Sequence, residues 1–155
     1  FFHEGRLAKL IEVPEIEWYK HHPIFIIFYI WNVFIDRRYI YSAEDVARYI
    51  INFCIDSHNP ISNLKLQKIL YYVQAAFLLE EGKPCFKDEI VKWKHGPVVK
   101  EVYDSYVRFI GGVIDEKQDY YDDFVLDNEL NLRVISKKFD ASIIKENHRK
   151  ILKIQ

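Results

Sequence analysis

Residues 60–82 read PISNLKLQKILYYVQAAFLLEEG, and the pattern inside this stretch decides the fold. Ser62 is a helix N-cap, its hydroxyl placed to accept an unpaired backbone N–H one turn on, and Ile61 is spaced to staple against Leu66. Leu66, Ile69, Leu70, Val73, Ala76 and Phe77 then recur at intervals of three and four, which makes one buried helical stripe. Gly82 with Pro84 beyond it ends the helix, a left-handed cap followed by a residue that cannot continue it. A second row, Gln67, Tyr71, Gln74 and Leu78, runs beside the first at helical spacing. It is amphipathic, so it faces either another layer of the fold or a partner.

Working outward, Ser42 with Asp45 resembles a capping box, and Val46, Ala47, Tyr49, Ile50, Phe53 and Cys54 give a second apolar helical face, closed by Asn59-Pro60. The spacing predicts helices over 42–57 and 62–81, joined by a short turn as antiparallel neighbours. From Phe86 to His95 the period shifts toward two, which reads as a short strand. Gly96-Pro97 is expected to open a third helix, with Val98, Val99, Val102, Tyr103, Tyr106 and Ile110 inward and Gly111-Gly112 at its end. Residues 115–129 hold seven carboxylates against Lys117 alone and read as a solvated loop. Their spacing lacks the central Gly and terminal Glu of a calcium loop. Leu130, Leu132 and Val134 alternate, predicting a hairpin with Phe124–Leu126 across Asp127-Asn128. Residues 140–155 read as a basic helix resting on Ile143, Ile144, Ile151 and Leu152.

Residues 1–40 differ in character. Eleven of the twelve residues from Ile24 to Ile35 are apolar, too few for a membrane span of roughly 20. They fit a buried strand pair, a core helix or packing against another subunit better than an interfacial segment. His21-His22 lack ligand partners at metal-binding spacing and read as linker residues. The chain of 155 residues contains no Met, even at position 1, so the sequence is expected to be a piece of a longer gene product.

Twenty-two basic and 23 acidic residues leave a net charge of −1, which gives no field for nucleic acid or an anionic membrane. With 11 Tyr, 11 Phe and 3 Trp, the chain carries ample core material. Cys54 and Cys85 form no CxxC pair and no secretory pattern precedes them, which fits reduced thiols in the cytoplasm. No phosphate loop or dinucleotide fingerprint occurs, and no cofactor or metal is expected.

Three segments in order, YSAEDVARYIINF (41–53), ISNLKLQKILYYVQAAFLLEEGKPCF (61–86) and IVKWKHGPVVKEVYDSY (90–106), resemble the Panacea family, the SocA-like antitoxin domain also found in phage-associated proteins. The specific pieces are Ser62 to Lys68, Tyr71 to Ala75, and Trp93-x-x-Gly96-Pro97-Val98 leading to Val102-Tyr103. The resemblance covers residues 41–155, leaving 1–40 as an extension of unassigned role. It implies a cytoplasmic antitoxin that binds a co-encoded toxin, with one SocA-like member presenting its toxin to a cellular protease. Lys100 departs from the Pro often found in the family. A Ser-Ala-x-x-Leu stretch and a Thr-His motif common further on in the family do not occur.

Beside the resemblance, the residues themselves leave two readings of the motif. Gln67, Tyr71 and Gln74 suit either a partner interface or an internal polar network, because buried amides must bond something. With Trp93 and His95 they are the partner-binding candidates. Ser62, Gly96, Pro97 and Tyr103 are read as structural, and Trp93, Tyr72 and Tyr103 also suit core positions. His95 at a turn is the most enzyme-like group, but it lacks a nucleophile or carboxylate at usable spacing. The expectation is a mainly helical α+β domain of three or four packed helices with a small antiparallel sheet or hairpin. It is a non-enzymatic binder of a toxin and, in the adaptor version, of a protease, and self-association is compatible with it. The alternative is an enzyme or small-molecule module using a pocket near Trp93, His95 and Tyr71.

Overall fold

In the computed structural model residues 41–153 are described, all within one compact unit spanning 37–155. The expectations for the 24–35 run and for His21-His22 lie outside the described residues. Helix α1 (Ala43–Asp56) starts where Ser42 Oγ accepts from the Asp45 N–H at 3.1 Å. The Asp45 carboxylate returns to the Ser42 hydroxyl at 2.8 Å, so the box closes through side chains. Helix α2 (Asn63–Glu80) starts the same way, Ser62 Oγ accepting from the Lys65 N–H at 3.2 Å. Gly82, at φ +64°, turns the chain out of α2 through the left-handed region where a Cβ is costly.

The centre of the fold is α2. Leu66, Leu70, Val73 and Phe77 have no exposed surface, and the second row is buried too, so only a strip including Leu64, Lys65, Lys68, Tyr72 and Leu79 faces water. A helix buried around most of its circumference belongs inside a domain, and α1 and the later helices pack around it. Core residues from every quarter of the described chain meet there, including Val46, Ile50, Ile61, Phe86, Val102, Ile114, Ile144 and Leu152.

The strand before Gly96 is Ile90–Trp93 (β1). Gly96 and Pro97 do not open a helix as expected: Gly96–Val99 is strand β2, pairing antiparallel with β1 from Trp93↔Gly96 to Ile90↔Val99. Lys94 and His95 form a two-residue turn, and Gly96 closes it at φ +126°, a backbone state L residues rarely adopt. Pro97 is tolerated because a two-stranded ribbon leaves one side of each strand without a ladder partner to supply. Helix α3 (Lys100–Ser105) follows at once, then a 3-10 turn at Val107–Phe109. Val102 and Tyr106 are buried as expected, whereas Ile110 is exposed and Phe109 packs on the core in its place.

Nearly half of the acidic segment is strand and not loop. Tyr120–Leu126 (β3) pairs through seven positions with Leu132–Lys138 (β4). The ribbon extends the expected hairpin, and Leu130 lies in its turn at φ +64° instead of in the strand. The basic helix is split. A 3-10 turn at Ala141–Ile143 leads to α4 (Glu146–Leu152), with Ile144, Ile151 and Leu152 buried and Ile143 exposed. Cys54 and Cys85 are free thiols. The result is an α+β fold with four helices and two antiparallel ribbons among the described residues. None of those helices is long and apolar enough to cross a membrane.

Candidate functional site

The motif residues converge on the second face of α2, and the two glutamines define it. Gln67 and Gln74 sit seven positions apart, about two helical turns, so both amides emerge on one side. Gln74 Oε1 accepts from the Cys85 N–H at 2.8 Å and the Phe86 N–H at 3.2 Å, while its Nε2 donates to Phe86 O at 2.9 Å. Cys85 and Phe86 are fully buried and lie in the irregular segment after α2. One side chain therefore supplies three partners to backbone that has no secondary structure of its own to supply them.

Gln67 does the same for the β2–α3 junction. Its Oε1 accepts from the Val99 N–H at 2.9 Å, its Nε2 donates to Asn63 Oδ1 at 3.0 Å, and Asn63 Nδ2 donates to Tyr103 O at 2.9 Å. The backbone donor and acceptor at the two ends fix both amide orientations. Val99 is the N-cap position of α3 and has no side-chain cap of its own, so Gln67 links the ribbon and α3 to α2. Among the described residues every buried side-chain nitrogen and oxygen has a partner.

Tyr71 lies between the glutamines, 7% exposed, with burial and the neighbouring Tyr72 phenol pushing its own phenol up to about 12. Trp93 and His95 stand at the other end of this arrangement, on the β1–β2 ribbon. Trp93 is 40% exposed and packs edge-on against Tyr103, ring centroids 4.9 Å apart, and His95 is exposed in the turn. Tyr72, read as a core aromatic, is 53% exposed. The structure thus separates the five partner-binding candidates into two sets. Gln67, Tyr71 and Gln74 are inside, with both amides spent on the chain's own groups, and Trp93 and His95 are outside on a ribbon that Gln67 ties to α2 at Val99. Ser62, Gly96, Pro97 and Tyr103 occupy the cap, the turn and the junction.

Sequence reading missed a second buried polar group. Tyr41 is bonded at its N–H to Cys85 O at 2.7 Å, and its hydroxyl accepts from the Lys145 N–H at 3.0 Å. The hydroxyl also shares a hydrogen bond with His148 Nδ1, 2.7 Å away, and His148 Nε2 faces Glu81 Oε1 at 3.5 Å. Burial holds the Tyr41 phenol above its ordinary range. Phe77 lies against both rings, at 6.2 and 5.1 Å between centroids. This cluster fastens α4 to the C-terminal end of α2. No local signal marks it, since its members stand 107 positions apart. No group of three or more His, Cys, Asp or Glu among the described residues is placed to hold a metal ion.

The described residues thus form a mixed helical core to which Gln67 latches the β1–β2 ribbon. The chain belongs to the family described as antitoxin SocA-like, Panacea domain, whose model matches residues 66–154. It is also similar to Antitoxin SocA of Caulobacter vibrioides, 41% identical over 65 residues, covering 42% of this chain and 35% of that protein. The chain's match therefore spans about a third of the relative's length. No solved structure matches it.

Proposed function

We propose that this chain, through residues 41–155, acts as the antitoxin of a two-gene module and neutralises a co-encoded toxin by direct contact in the cytoplasm. The observation that carries the reading is the family match over more than half of the chain. The geometry agrees with a binder: Gln67 and Gln74 make the motif rigid, and a rigid, preorganised surface loses less entropy on association. Trp93 and His95 are then the motif residues placed to touch the toxin, Trp93 as a large half-exposed aromatic of the kind that dominates interface energetics. In the adaptor version of the mechanism a cellular protease degrades the toxin once this chain has delivered it.

The test is co-expression of residues 1–155 with the adjacent open reading frame, in strains with and without the major cytoplasmic ATP-dependent proteases. Toxicity of the neighbour alone, growth rescue by this chain and co-purification of the two are the expected results. Rescue that vanishes without a protease supports the adaptor version, and rescue that persists supports simple neutralisation. A harmless neighbour that does not co-purify overturns the antitoxin reading.

A further inference from the structure

The outer edge of the β3–β4 ribbon is a row of unused backbone donors and acceptors, and the register fixes which residues form it. At one end of the ribbon the Phe139 N–H donates to Asp119 O at 2.8 Å, and at the other the Asp127 N–H donates to Asn131 O at 3.0 Å. Both pairs continue the β3–β4 register. In an antiparallel ladder such bonded pairs alternate with pairs whose backbone groups point away from the partner strand. Tyr121↔Lys137, Asp123↔Ile135 and Val125↔Arg133 are therefore the bonded pairs. Leu132, Val134, Ser136 and Lys138 send their N–H and C=O groups to the far side of β4, where it has no second neighbour among the described residues.

The fold leaves this edge open. β3 is held to the domain, with the Arg48 guanidinium 4.2 Å from the centre of the Tyr121 ring and the Gln118 N–H donating to Asn52 at 2.7 Å. β4 is the outer strand, and all seven of its residues are exposed. It has no proline and its register runs without a bulge, so two of the devices that blunt a strand edge are missing. What it carries is charge: Arg133, Lys137 and Lys138, with no carboxylate. Arg133 gives only its Nε to Asp127, Lys137 pairs with Asp123, and Lys138 has no carboxylate within ion-pair range among the described residues. The acidic side chains of the ladder, Asp122 and Asp123, both belong to β3. A strand added to β4 would lie about 4.8 Å from it and about 9.6 Å from β3, the second distance being near the screening length of roughly 8–10 Å. The cations of β4 therefore govern what joins it. A second copy of β4 would set three cations beside three, which is destabilising. An extended segment that, like β3, mixes carboxylates with apolar residues suits both the backbone row and its charges.

We propose that the free edge of β4 takes up an extended acidic segment of the toxin as a third strand of the ribbon. Main-chain bonds to Leu132, Val134, Ser136 and Lys138 give such a complex its affinity, and the three cations select the segment. This rests on the antitoxin reading and adds to the Trp93–His95 turn a contact made by backbone.

The experiment uses the purified 1–155 chain and the purified product of the adjacent toxic reading frame. Amide hydrogen exchange of the wild-type chain is followed residue by residue by nuclear magnetic resonance, alone and with the toxin. The Val134 and Ser136 amides are expected to slow about tenfold or more in the complex, while those of Arg133 and Ile135, already bonded within the ribbon, change little. Toxin binding is then measured by interferometry. Ser136→Pro removes an outward N–H at an edge position where proline is tolerated and should weaken binding about tenfold, whereas Ser136→Ala keeps the N–H and should not. Lys138→Glu should slow association. Val134 and Ser136 amides that exchange alike with and without toxin overturn the edge and leave the antitoxin reading standing. Ser136→Pro binding within about twofold of Ser136→Ala does the same. Slow exchange of those amides in the chain alone, relieved by dilution, assigns the edge to a second copy and also overturns the proposal. Absence of any wild-type complex removes the antitoxin reading, and this inference with it.

Discussion

Replacing Gln74 by Leu removes three hydrogen bonds at once, and the structure sets the cost. The Cys85 and Phe86 N–H groups and the Phe86 carbonyl all lose their bond to this side chain. Cys85 and Phe86 are 0% and 1% exposed, so water does not replace it without opening the loop. A buried polar group left unsatisfied costs about 1–3 kcal/mol. Leu fills a similar volume and recovers about 1 kcal/mol by burial. Over the three groups the net loss expected is about 2–8 kcal/mol, a large part of the roughly 5–15 kcal/mol that holds an ordinary domain together. Urea titration of the 1–155 chain followed by far-ultraviolet circular dichroism measures it. Leu79→Gln on the opposite, 73% exposed side of α2 is the control, expected within about 0.5 kcal/mol of wild type. A Gln74→Leu protein that loses less than about 1 kcal/mol at unchanged denaturant slope would refute the view that this amide secures the segment after α2.

Other outcomes follow from the same geometry. Ser62→Ala deprives the Lys65 N–H of its acceptor and should cost about 1 kcal/mol, read as a lower thermal midpoint. Gly96→Ala meets no steric neighbour but places a Cβ on a residue at φ +126°, so it should destabilise the β1–β2 turn by about 1 kcal/mol or more while α1 and α2 keep their helicity. Tyr41→Phe leaves the Lys145 N–H and His148 Nδ1 without their shared partner, and α4 amides should exchange hydrogen faster than those of α2. The Tyr71 phenol is raised from 10.0 to about 12. Its stabilising contribution is therefore complete below about pH 10 and lost as pH rises toward about 12, because the folded state resists the phenolate that the unfolded chain accepts. Unfolding midpoints that do not fall over that interval, or a phenolate titration in which every tyrosine ionises near 10, would contradict it.

Helices α1 and α2 were legible because their signals are local. Ser42 and Ser62 cap within three residues, the apolar stripe repeats every turn, and Gly82 stands where a left-handed residue is needed. Gly96-Pro97 was not, since a proline without an N–H suits the first position of a helix and the free side of a ribbon equally well. What decides between them is Gln67, 32 positions earlier, accepting from Val99. The length of β3 was hidden by its charges: the half-buried side holds Asp123 between Tyr121 and Val125 while the exposed side holds Phe124 and Leu126, so polarity does not mark which side turns inward. The buried amides illustrate the same limit in the site. Sequence shows that Gln67 and Gln74 must bond something, but their partners are backbone groups whose position only the folded chain defines. His95 reads from sequence as standing at a strand-to-helix turn, whereas it lies in the two-residue turn between β1, which ends at Trp93, and β2.

Tyr41 gives the chain a closing step. Pairing α1 with α2 spans only a short turn and is quick in the way local contacts are, whereas joining Tyr41 to Lys145 and His148 encloses over a hundred residues. The entropy of closing so large a ring favours its formation only after the intervening chain has collapsed. During synthesis, a nascent chain that has emerged as far as α3 already contains the Gln67 and Gln74 latches, yet still lacks the helix that completes the Tyr41 cluster. Docking of α4 onto α2 is thus a late step among those that build the described residues, following the local pairing of α1 with α2.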